Sequence, residues 1–175
     1  AGMDKGSSGL DDILSLLDIV RGCKTVFDLH KDGILALPIG QVIGHPTEFH
    51  GCQNLPSAVC RALENLRSTA EDLAQISAVE GLWSSLLKTT VGHDARVGMG
   101  WPTNIEDKLW TRVRLHEPRA LFIFAHYSLL LRRFDHRYWW MSGWSERLVR
   151  AVEPALFEFD RAFIATALDS IDALE

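Results

Sequence analysis

The sequence predicts an all-α domain, about six or seven helices packed as an irregular or orthogonal bundle around one central apolar helix. Three observations carry this reading. Apolar residues recur at three- and four-residue spacing along most of the 175 residues, and no period-two run competes as a strand. Proline and glycine fall where those stripes stop. Ala120–Leu131 is the longest nearly uncharged stretch, which suits a helix surrounded by protein on most sides. It is too short for a bilayer span, which needs about 20 apolar residues.

Ala1–Gly2 ahead of Met3 reads as a cloning scar before a native start, and Ala1–Gly9 lacks the apolar core of a signal peptide. Residues 1–8 are expected to be disordered and residues 9–175 to form a single helical domain. The first helix should start near Ser8, with Asp11 and Asp12 favourable in its first turn. Ile13, Leu16, Leu17, Val20, Cys23, Phe27 and His30 mark its inner face as far as about Lys31. Gly22 interrupts it at a cost of about 1 kcal/mol relative to alanine. Close helix packing, or a ligand lying against bare backbone, would explain that glycine. Asp32–Asn54, rich in glycine and proline, should be mostly loop, with His45 and His50 able to reach over a pocket mouth.

Pro56 opens the next helix, with Val59, Leu63 and Leu66 as its stripe to about Arg67. Another follows from about Ala70 to Thr90 through Leu73, Ile76, Val79, Leu82, Trp83, Leu86 and Leu87, and Gly92–Gly100 should break it. Thr103 can cap a short helix through Trp110 and Val113. Pro118 opens the central helix, which should end near Phe134 or Asp135. Tyr138–Val152 shows Trp140, Trp144, Leu148 and Val152 every fourth residue, one continuous stripe. Pro154 starts the last helix, with Leu156, Phe159, Phe163, Ala167, Ile171 and Leu174 facing inward.

Composition narrows the function. The net charge is −5 and the sequence pI about 5.8, with Arg132–Arg133 the one basic doublet, which argues against direct nucleic-acid binding. Cys23, Cys52 and Cys60 form neither a disulfide framework nor a CxxC pair. Reduced thiols place the chain inside the cell, in the cytoplasm, or in the nucleus if it belongs to a transcription factor. No HExxH, paired-carboxylate, G-x-S-x-G or phosphate-loop motif occurs, so neither metal nor cofactor is expected.

The candidate site lies in the central helix and the tryptophans after it. His126 shares a face with Phe122 and Leu130 at i−4 and i+4, with Arg119 two turns earlier. It reads either as a core histidine satisfied by a backbone carbonyl, or as a pocket histidine that bonds a ligand or moves a proton. Arg119 could hold a carboxylate or enolate oxygen. Its bland role is capping, or pairing with Glu117 or Asp135. Tyr127 points about 100° away from His126. Asp135, His136 and Arg137 read as a charged turn. Trp83, Trp101, Trp110, Trp139, Trp140 and Trp144 are many for this length and either line a slot for a ring system or fill an irregular core.

Two blocks, LLDIVRGCKTV from Leu16 and EPRALFIFAHYSLLLRRFDHRYWWMSGWSERLVRAV from Glu117, resemble the regulatory domain of fungal zinc-cluster (Zn₂Cys₆) transcription factors of the sterol-uptake-regulator type. Trp101–Pro102 is similar to the family's position just upstream. The resemblance implies a helical domain whose apolar pocket takes a sterol or similar lipid. The family's six-cysteine DNA-binding cluster is absent, as is the first half of its regulatory domain, and FEFDRAFIATALDSIDALE replaces its closing Trp-Pro segment. A cut through the middle of a helical domain would expose apolar surface, which together with Met3 favours a natural stand-alone relative over a fragment.

Three functions follow as expectations. The first is a protein that holds a sterol-, terpenoid- or polyketide-like molecule in an aromatic pocket, with Phe122, His126, Leu130, Trp83, Trp101, Trp140, Trp144 and Gly22 around the ligand. The second is a cofactor-free cyclase, isomerase or dehydratase of natural-product biosynthesis in the same pocket, with His126, Arg119 and Tyr127 as its polar groups. The third is an interaction module, which could be a homodimer.

Overall fold

A computed structural model describes residues 5–35, 55–91 and 94–173. Among these residues the chain is α-helical, with one short 3-10 turn and no strand, the all-α bundle that its apolar periodicity predicts. None of these helices is long and apolar enough to cross a membrane.

Helix α1 spans Lys5–Leu35, longer at both ends than the periodicity suggested. Its docked face is Leu10, Leu14 and Leu17, whereas Leu16 and Cys23, expected inside, are exposed. Polar anchoring sets this rotation. Asp18 accepts from Trp110 Nε1 at 2.7 Å, and Arg21 donates to the Ile105 carbonyl at 3.0 Å and also to that of Pro102. Those bonds fix which face of α1 turns inward. His45, His50 and Cys52 lie outside the described residues.

Helix α2, Ser57–Ser68, follows Pro56 and buries Val59, Ala62, Leu63 and Leu66. Helix α3, Leu73–Val91, starts at a reciprocal cap: Asp72 Oδ1 accepts from the Gln75 N–H at 3.0 Å, and Gln75 Oε1 accepts from the Glu71 N–H at 2.9 Å. Leu73, expected inside, is exposed in this first turn, while Ala74, Ala78, Val79, Leu82 and Leu86 are buried.

Gly92–Gly100 is not simply a break. Helix α4 spans Ala95–Asn104, capped by Asp94, whose carboxylate accepts from the Arg96 N–H at 2.9 Å. Of the glycines that suggested a loop, Gly98 serves packing, whereas a Cβ on Gly100 would meet nothing within 4 Å. A Cβ on Gly98 would lie 2.9 Å from the Phe134 ring. Thr103 therefore sits inside α4, donating to the Gly100 carbonyl at 2.7 Å, and does not cap the next helix, α5, Asp107–Arg114.

The central helix is two segments, α6 over Pro118–Ala125 and α7 over Tyr127–Asp135, joined at His126. Around the joint the backbone tightens: His126 N–H bonds the Ile123 carbonyl at 3.2 Å, and Leu129 N–H bonds that of His126 at 3.1 Å. Every residue from Ala120 to Leu131 is buried. Helix α7 packs on α3, α4, α8 and the last helix, so it is the centre that the apolar run predicted.

Helix α8 spans Trp144–Val152 and not Tyr138–Val152. Gly143, at φ 77°, ends a series of turns over 138–143. Asp135 caps the helix from outside it, accepting from the Trp144 N–H at 3.2 Å and from the Ser145 hydroxyl. The expected stripe survives only from Trp144 onward, since Trp140 is exposed. A 3-10 turn at Glu153–Ala155 leads to α9, Glu158–Asp172. Ile164, Ala167 and Ile171 face the core there, Phe159 is exposed, and Leu174 lies outside the described residues.

Candidate functional site

His126 is fully buried. Its Nδ1 lies 2.8 Å from the Phe122 carbonyl, so Nδ1 carries the proton and donates it, and the Phe122 ring meets the imidazole edge-on at 4.8 Å. Among the described residues Nε2 has no hydrogen-bond partner, and neither does the hydroxyl of buried Ser128. Burial, helped slightly by the Arg119 charge and opposed by the Phe122 bond, pushes the imidazole down to about 4, so the ring is neutral at pH 7. This is the core histidine satisfied by a backbone carbonyl, one of its two sequence readings.

The other two polar candidates point elsewhere. Tyr127 donates to the Gly98 carbonyl at 2.7 Å, and burial raises its phenol above the usual range. Arg119 donates to the Thr69 hydroxyl and lays its guanidinium over the Phe122 ring at 5.6 Å. It pairs with neither Glu117 nor Asp135, because Arg112 holds Glu117 at 2.5 Å and Asp135 caps α8. Arg119 reaches His126 only across Phe122, so the three do not converge on one reacting atom.

The predicted ligand residues separate likewise. Trp101 is core: Nε1 donates to the Ala78 carbonyl at 2.8 Å, and the ring stacks on Tyr127 at 5.1 Å. Phe122 and Leu130 are buried with it. Trp83 lines a shallow surface hollow with Arg67, Glu80 and Leu87. Gly22 is exposed, and a Cβ there would meet nothing within 4 Å, so neither helix packing nor a ligand accounts for it among the described residues. Trp140 is exposed on the turn before α8.

Trp144 faces a larger concavity than the hollow at Trp83. A groove of about 440 Å³ runs between α1 and α8, walled by Gly9, Asp12 and Ile13 on one side and Trp144, Arg147, Arg150 and Ala151 on the other. Ile13, Ala151 and the indole make its apolar floor. The Trp144 Nε1 is engaged with the Trp140 carbonyl at 3.0 Å, which fixes the ring plane. The rim is mixed: Asp12 on the α1 side, Arg147 and Arg150 on the α8 side. Arg150 is held by Glu146 at 2.5 Å, whereas Arg147 forms no ion pair among the described residues. The volume suits a small molecule. The arrangement can hold an apolar body and meet an anionic end with a guanidinium.

Arg147, Arg150 and Ala151 escaped the sequence reading, although Trp144, Arg147 and Ala151 share one helical face at i, i+3 and i+7. The signal was there once Trp144 was known to start the helix. Among the described residues no group of three His, Cys, Asp or Glu side chains could hold a metal ion. No family model, curated protein or solved structure matches the chain.

Proposed function

We propose that the protein binds a small amphipathic molecule, an apolar body with an anionic end, in the groove between α1 and α8. One observation carries this: an apolar floor of Ile13, Trp144 and Ala151 beside Arg147, a cation without an ion-pair partner among the described residues. Burying an apolar body there removes it from water, and a charge-assisted bond to Arg147 orients it. The resemblance of the Glu117–Val152 block to sterol-responsive regulators supports a sterol-, terpenoid- or polyketide-like body for the guest. The cofactor-free cyclase, isomerase or dehydratase reading has less support. His126 offers an unpartnered Nε2, but a substrate would have to displace core side chains to reach it.

Calorimetric titration with palmitate and with its methyl ester, both below their aggregation concentrations, tests the groove. Palmitate should bind the wild type, and Trp144→Ala should abolish the heat. Arg147→Ala should weaken palmitate about tenfold while leaving the ester unchanged. Equal binding by wild type and Trp144→Ala, or no binding of either probe, would sink the reading.

A further inference from the structure

A second aromatic feature lies outside the groove. Trp139 is 90 % exposed and Trp140 42 % exposed, side by side on the turns between α7 and α8. Nothing in the binding of a groove ligand requires Trp139. The pair is not a frayed loop end. Met141 is buried beneath it, with its N–H on the Tyr138 carbonyl at 2.9 Å, and Tyr138 N–H bonds the Phe134 carbonyl at 3.1 Å. The Tyr138 ring sits between Phe134 at 6.1 Å and Trp140 at 5.8 Å. The turn therefore holds two indoles at the surface on a backbone anchored in the core, with little ordering left to lose on docking.

Two exposed guanidinium groups flank the indoles along the chain. Exposed Arg137 precedes them and Arg147 follows, and neither forms an ion pair among the described residues. Three carboxylates of the flanking helices are already engaged, while Asp12 shares the groove rim with Arg147. Asp135 accepts from Ser145 and from the Trp144 N–H, Glu146 holds Arg150 at 2.5 Å, and Asp172 takes a forked bond from Arg132 at 2.7 Å. A chain of net charge −5 thus presents a cationic, aromatic patch at this one turn. Indole rings flanked by guanidinium groups match the headgroup level of an anionic bilayer, where the ring is half-desolvated and the cation meets lipid phosphate.

We propose that this turn is a peripheral docking surface for anionic lipid bilayers, with Trp139 and Trp140 inserting at headgroup depth and Arg137 and Arg147 facing the lipid charge. Attachment through this turn lies on the surface and does not span the bilayer. A nucleic acid fits less well, because two arginines on an acidic chain make no basic stripe. Tryptophan and arginine also favour protein interfaces, so a second copy of the chain is the competing occupant that the test separates. The proposal does not depend on the groove: the groove is read by a soluble ligand without vesicles, and the turn by vesicles without that ligand.

The test is co-sedimentation of the full chain with vesicles of equal parts phosphatidylcholine and phosphatidylserine, and with vesicles of phosphatidylcholine alone. The mixed vesicles should bind the protein and shift its tryptophan emission to the blue, and added salt should release it. Trp139→Ala should lower partitioning about tenfold, and Arg137→Gln about fivefold. Quenching of wild-type emission by brominated phosphatidylcholine in the mixed vesicles gives the same answer without a variant. Absence of binding to the mixed vesicles overturns the proposal. So does equal binding to both vesicle types, or partitioning unchanged in Trp139→Ala. Self-association without lipid that Trp139→Ala removes would assign the patch to a second copy of the chain and also overturn it.

Discussion

At His126 one buried nitrogen decides how the protein responds to pH. The folded ring stays neutral down to about pH 4, while in the unfolded chain it takes up a proton near its ordinary value of about 6.5. Between those values the unfolded state binds more protons, so stability rises with pH there and falls as the pH drops. The contribution is fully present above pH 6.5. About 3 kcal/mol of it is lost by the bottom of the window, at roughly 1.4 kcal/mol per pH unit. Urea unfolding at pH 7, 6 and 5 should show this slope in wild type and a shallower one in His126→Leu. Equal slopes would mean that the ring is not held neutral by burial. The sequence placed His126 against Phe122, as the structure has it, because i−4 neighbours follow from helix geometry alone. It could not say whether that face meets a cavity or more protein, since this depends on which distant elements close over it. Here the whole run from Ala120 to Leu131 is buried, and the Phe122 ring packs edge-on against the sealed imidazole.

At the scale of single helices, glycine carries opposite meanings in α1 and α4. Gly98 lets α4 lie against α7: an added methyl would sit 2.9 Å from the Phe134 ring and 3.1 Å from Met141 Cε. Its carbonyl also accepts from the Tyr127 hydroxyl, so α4 cannot back away without breaking that bond. Gly98→Ala should therefore destabilise by about 1–3 kcal/mol. Gly22 lies within α1 with open space beyond it, so Gly22→Ala should stabilise by about 0.5–1 kcal/mol through helix propensity. Thermal unfolding followed by circular dichroism reads both signs, and a shift in the same direction for the two variants would contradict this account. The same pair explains what the sequence revealed of the elements. Helices with an ordinary apolar stripe, such as α2, were legible to within a residue or two. Helix α4 was not, because a glycine chosen for tight packing looks identical in sequence to one that breaks a helix. The start of α8 was missed for a related reason: its cap, Asp135, lies nine residues before Trp144 and looks like the end of the previous helix.

For the molecule as a whole, α1 is the element on which the groove depends, and it is unevenly attached. Its first half docks through Leu10, Leu14 and Leu17, whereas beyond Arg21 it exposes Val26 and Leu29. Among the described residues, Arg21 is the last side chain of α1 with a polar bond to another helix. It donates to the carbonyls of Pro102 and Ile105 at the end of α4, groups that have no partner within that helix, and it covers the Trp110 ring at 4.9 Å. Its pair with Asp107 adds little, since that carboxylate is almost wholly in solvent. Removing the guanidinium should therefore loosen α1 without opening the centre, where Ala120–Leu131 is enclosed by other helices. Hydrogen exchange followed by mass spectrometry checks this directly. In Arg21→Ala, amides of residues 9–31 should exchange about 10–30-fold faster, equivalent to about 1.4–2 kcal/mol of lost local stability, while those of 120–131 keep wild-type protection. Palmitate affinity should fall in the same variant, because Gly9, Asp12 and Ile13 form one wall of the groove. Equal loss of protection in both regions would mean that α1 and the core open as one cooperative unit. Unchanged protection in residues 9–31 would mean that the leucine face alone holds the helix, and that the polar contacts which set its rotation contribute nothing to keeping it docked.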